Sequence, residues 1–105
     1  MISLNGQKNL SVKVGEIMEY RGQVQESVGY FLSFDISDTS VVNMVSRDTE
    51  YAYPERMSAG MTGADEAVQV YRFKALSPGG TDIVFTLDFR GDIESREVVL
   101  VQVQP

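Results

Sequence analysis

The sequence predicts an all-β domain, a two-sheet antiparallel sandwich of about seven to eight strands. Three observations lead there. Apolar residues recur at every second position along several short stretches. Those stretches are rich in β-branched and aromatic residues and end at Gly, Pro, Asp or Ser. No stretch of helical length carries an apolar period near 3.6 residues.

Taken in order, the first run covers residues 9–14, where Leu10, Val12 and Val14 alternate with Ser11 and Lys13. Gly15-Glu16 punctuates it and residues 17–20 resume. Tyr30, Leu32, Phe34 and Ile36 then alternate with Phe31, Ser33 and Asp35. Tyr71, Phe73 and Ala75 alternate with Arg72 and Lys74, and Ser77-Pro78-Gly79-Gly80 turns the chain. Ile83, Phe85, Leu87 and Phe89 alternate with Val84, Thr86 and Asp88. Val99, Val101 and Val103 alternate with Leu100, Gln102 and Gln104. Residues 35–40 and 90–95 read as polar connections, and 58–67 as an ordered loop because Gly60 and Gly63 interrupt its helix formers. The expected core is Leu10, Val12, Val14, Leu32, Phe34, Ile36, Tyr71, Phe73, Ile83, Phe85, Leu87, Val99 and Val101. Strands of this number and spacing suggest an immunoglobulin-like arrangement. The whole span, 1–105, reads as a single domain with no linker or repeat.

Composition excludes several function classes. The chain has no cysteine and no histidine, so disulfides, thiolate metal sites and the usual Ser-His or Cys-His catalytic pairs are absent. Fifteen acidic against nine basic residues give a formal charge of -6, which disfavours nucleic acid and anionic membrane as partners. The longest apolar run, Val98-Val99-Leu100-Val101, is too short to insert into a bilayer. Met1-Ile2-Ser3-Leu4 runs directly into polar Asn5-Gly6-Gln7-Lys8, which does not read as a signal peptide. Both a cytoplasmic protein and a secreted or periplasmic one with its leader removed fit that start.

Candidate chemistry is sparse. Asp65-Glu66 and the pair Asp35/Asp38 read as solvated loop acids, since a small sandwich seldom faces two carboxylates across a cleft. Asp35, Asp38 and Asp48 match no calcium-loop spacing. Arg90-Gly91-Asp92 spells the integrin tripeptide, and it reads as a polar β-turn with Gly91 at positive φ. Gly29 at a loop-to-strand junction reads as conformational. Gly60 and Gly63, with Met57 and Met61, make an adaptable Met-and-Gly loop. The chain is therefore expected to bind rather than catalyse, with no cofactor.

Three of these loops, set on this scaffold, resemble the chagasin-like inhibitors of papain-type cysteine peptidases. Val14-Gly15-Glu16 stands where that family ends a strand in V-G-E. Gln25-Glu26-Ser27-Val28-Gly29-Tyr30 stands at its N-P-T-T-G-Y loop, keeping Gly29 and Tyr30. Asp38-Thr39-Ser40-Val41-Val42 matches D-x-S-V-V, and Gly60-Met61-Thr62-Gly63 takes the G-x-G-G position. The run from Tyr71 through Lys74-Ala75-Leu76-Ser77-Pro78 to Thr81 matches its strand and turn, and Arg90-Gly91-Asp92 takes the place of R-P-W. The resemblance implies reversible, non-covalent inhibition of a papain-like cysteine peptidase through three loops at one end of the sandwich. It places Ser27, Val28, Gly29, Tyr30, Gly60, Met61, Gly63, Arg90, Gly91 and Asp92 against the peptidase. The alternative on the same scaffold is an adhesion or assembly module without inhibitory activity. A monomer or a weak homo-oligomer is expected.

Overall fold

Among the residues described by the computed structural model (1–25, 28–51 and 66–105), eight strands divide between two four-stranded sheets. They are β1 (Ile2–Ser3), β2 (Asn9–Lys13), β3 (Ile17–Val24), β4 (Tyr30–Ile36), β5 (Val42–Tyr51), β6 (Ala67–Ala75), β7 (Gly79–Phe89) and β8 (Asp92–Gln104). One sheet has the order β1-β3-β6-β5 and the other β2-β8-β7-β4. The expected sandwich forms, with one difference in strand direction. β1 runs parallel to β3, and β2 runs parallel to β8, so each sheet is mixed rather than wholly antiparallel.

The alternation read from sequence follows from how the two sheets face each other. Phe85 on β7 is 1% exposed and lies ring to ring on Tyr20 of β3, with centroids 3.6 Å apart. Phe73 of β6 sets its edge against both Phe85 and Phe34. Met18, Tyr71, Ile83, Val99, Val101 and Val103 fill the space between, and Leu10, Leu32, Phe34 and Ile36 pack against that cluster at its margins. Edge-to-face ring contacts such as those of Phe73 add to the area that the rings remove from water.

Val14 does not join the core. It is 43% exposed, because the chain leaves one sheet for the other at that point. The Val14 amide still donates to Gln104, while the next amide, that of Gly15, donates to Ala75 in the opposite sheet. The alternation breaks where the partner strand changes. Leu87, at the end of the alternating run, is only half-buried.

Three elements depart from the sequence reading in extent. β3 continues to Val24, four residues beyond the 17–20 run read from sequence. Residues 92–95 belong to β8, so the connection before it shrinks to Arg90-Gly91. β5 was not visible as an alternating run. It is an edge strand whose members are mostly exposed, so polar Asn43, Arg47, Asp48 and Glu50 carry no burial signal.

The two outer faces differ in charge. On the β3-β6-β5 face, Arg21 binds Glu19 at 2.7 Å and also Glu50, while Arg72 reaches Asp48 at 3.4 Å and Glu19 at 3.7 Å. The Arg21 guanidinium beside Glu19 holds that carboxyl below its usual range, with Arg72 adding to the effect. Among the described residues, no such network lies on the opposite face.

Candidate functional site

At one end of the sandwich, two loops meet. The first leaves β3 at Val24 and returns at Tyr30. Gln25 closes it, exchanging backbone hydrogen bonds with Tyr30 at 3.1 and 3.3 Å and accepting from the Val28 amide at 3.2 Å. Gly29 sits in this loop at φ 102°, a conformation costly for residues with a side chain. A Cβ there would also lie 2.8 Å from Cγ of Arg90.

The second is the β7–β8 hairpin. Phe89 pairs with Asp92, leaving a two-residue loop of Arg90 at φ 52° and Gly91 at φ 88°. Positive φ at both central residues is the hairpin turn whose twist matches its flanking strands. Asparagine is the residue this turn prefers at its first position, and Arg90 occupies it instead. Its contacts offset the strain. The Arg90 amide donates to the Gly29 carbonyl at 3.0 Å, and its guanidinium lies 5.0 Å from the Phe89 ring centroid. A longer contact, 3.5 Å, runs from Arg90 Nε to the Val28 carbonyl. Beneath these, Tyr30 and Phe89 form a cross-strand pair with rings stacked 4.4 Å apart.

The last residue of β5 and the first of β6 lie at the same end. Tyr51, the last residue of β5, pairs with Ala67, the first of β6, and Ala67 pairs with Val24 on its other side. Ala67, read from sequence as the end of the 58–67 loop, is thus the first residue of a strand, and residues 52–65 lie outside the described residues. Glu66 lines a cavity of about 330 Å³ with Gln23, Gln25, Tyr30, Leu87 and Glu94.

Of the residues expected to bind, Val28, Gly29, Tyr30, Arg90, Gly91 and Asp92 gather here. Arg90, Gly91 and Asp92 are exposed, and Val28, Gly29 and Tyr30 are half-buried. Ser27, Gly60, Met61 and Gly63 lie outside the described residues. Sequence reasoning missed two members of the cluster. Gln25 closes its loop through backbone atoms, which no side-chain pattern marks. Phe89 was legible as the end of an alternating strand, but its contact with Tyr30 depends on the β4–β7 register.

Of the acids noted in the sequence, Glu66 lines this cavity, Asp65 lies outside the described residues, and Asp35, Asp38 and Asp48 stand on other elements. Asp38 accepts from the amide and hydroxyl of Ser40, which lowers its carboxyl pKa with the hydroxyl as the chief cause. Asp48 pairs with Arg72 on the far face. Among the described residues, no group of three acids gathers as a metal site would need.

No protein-family model matches the sequence, and no curated protein matches it by sequence. Its shape does have counterparts. The cysteine protease inhibitor EhICP2 from Entamoeba histolytica superposes with a TM-score of 0.74, covering 98% of this chain and 93% of that one at 12% identity. Amebosin superposes with a TM-score of 0.59, covering 98% and 95% at 16% identity. At such identities the likeness is one of fold. The sandwich implied by the chagasin-like resemblance is the sandwich this chain adopts.

Proposed function

We propose that this chain is a reversible, non-covalent inhibitor of papain-like cysteine peptidases that docks through the loops at one end of its sandwich. The observation that carries this reading is the junction of Gly29 with Arg90, which ties two loops from different parts of the sequence into one body. A surface already joined avoids much of the ordering cost, about 0.5–1.5 kcal/mol for each side chain immobilised on binding. EhICP2, a cysteine protease inhibitor, shares the fold.

In this reading Ser27, Val28 and Gly29 approach the target's catalytic cysteine and cover it without reacting. Tyr30 braces them through its stack on Phe89. Arg90, Gly91 and Asp92 meet one rim of the enzyme cleft, and Gly60, Met61 and Gly63 of the third loop meet the other. Covering a nucleophile requires no nucleophile in return, which suits a chain without His or Cys.

Titration against a small panel of papain-like peptidases tests it. The expected result is a dose-dependent loss of activity that returns on dilution. Full peptidase activity at micromolar concentrations of the chain would remove the reading. The adhesion or assembly module would then stand in its place, favoured by the exposed Val98 and Leu100 on the outer side of β8.

A further inference from the structure

The outer face of the β2-β8-β7-β4 sheet is divided by charge, and the division runs along the strands. Register alignment places Val84 of β7 directly opposite Val98 of β8, with Leu100 next along that strand on the same side. Val98 is 44% and Leu100 50% exposed. On the β7 and β4 side of this apolar strip stand Asp88 and Asp35. On the β8 and β2 side stand Arg96 and Lys13. Among the described residues none of these four charges has an ion-pair partner, whereas Arg21, Arg72, Glu19, Glu50 and Asp48 on the opposite face of the sandwich are bound to one another.

We infer that this face binds a second copy of the chain, Val84 and Val98 of each packing on Val98 and Val84 of the other. The charge pattern selects the symmetry. A two-fold axis across the strands would lay each acidic column on its own counterpart. An axis along the strands exchanges the columns, so the acidic side of one copy covers the basic side of the other. Arg96 of each copy then lies one pair along from Asp88 of its neighbour, within reach of a long side chain across two sheets about 10 Å apart. Both loop-bearing ends point the same way, and neither is covered. The association is independent of the peptidase reading.

Sedimentation of the whole chain from about 1 µM to 1 mM tests the proposal, a range that brackets free energies of about 4–8 kcal/mol. Expected is a monomer–dimer equilibrium that weakens at high salt, because exposed pairs are screened. Arg96→Asp and Asp88→Arg should each be monomeric alone, since each puts like charges together twice. Mixed in equal amounts they should dimerise, because every pair across the mixed interface is again opposite in sign. Val98→Asp, an exposed position that the fold tolerates, should be monomeric in any mixture. A wild-type chain that stays monomeric throughout overturns the proposal. So does a dimer that survives Val98→Asp, or a mixture of the two charge variants that stays monomeric while both are folded.

Discussion

The amide of Arg90 donates to the carbonyl of Gly29 at 3.0 Å, joining the tip of the β7–β8 hairpin to the loop before β4. The two residues are far apart in sequence, and each holds a backbone conformation with positive φ. The bond joins the two loops through backbone atoms.

Replacing Gly29 should break this junction. Gly29→Val puts a branched side chain at φ 102° and against Arg90 Cγ. Inhibition of a papain-like peptidase is expected to weaken 10-fold or more, about 1.4 kcal/mol, while the circular dichroism of the sandwich is unchanged. An unaltered dose curve would mean that this loop does not touch the enzyme.

Arg90→Asn separates turn geometry from side-chain chemistry. Asparagine suits the left-handed conformation, so the hairpin should gain stability of up to about 1 kcal/mol. The guanidinium leaves Val28 and Phe89 at the same time. A raised melting temperature together with weaker inhibition assigns Arg90 to the interface. Equal inhibition would confine it to the fold.

Phe85→Ala should cost about 3–5 kcal/mol, since a fully buried ring stacked on Tyr20 leaves a cavity in a tight interior. Val14→Ser should stay within about 0.5 kcal/mol of wild type, as an exposed position away from caps and networks does. Chemical denaturation measures both. A large loss at Val14 would return that residue to the core.

Acid should weaken the fold partly through Glu19. Its carboxyl has a lowered pKa in the folded chain, mainly through its hydrogen bond with Arg21. A depressed folded value contributes stability above the unfolded value of about 4.3, and that contribution is lost as pH falls through the folded value. Melting temperatures at pH 7 and pH 3 should therefore differ less in Glu19→Gln than in wild type. An equal difference in the two proteins would show that the Glu19 pairs add nothing.

The fold was legible wherever one side of a strand is buried and the other is wet. Tyr30 to Ile36 and Ile83 to Phe89 alternate because β4 and β7 face the core on one side only. β5 was silent because an exposed edge strand imposes no pattern, and the parallel pairing of β2 with β8 was silent because direction leaves no mark on alternation. At the loop end, Gly29 was readable as a conformational glycine and Gly91 as a position that needs positive φ. The contact between Gly29 and Arg90 was not, because it depends on which strands become neighbours and in what register.

The pairing of β2 with β8 also decides how the domain should respond to force. The two strands run in the same direction over five paired positions, from Asn9 with Leu100 to Lys13 with Gln104. Tension applied at the two termini pulls β2 back toward its start and β8 onward past its end. The strands are thus loaded in shear, and their hydrogen bonds must fail together instead of unzipping singly. Stretching one molecule by its ends should accordingly give a single abrupt rupture, at a higher force than when the β7–β8 hairpin is peeled apart from its open end.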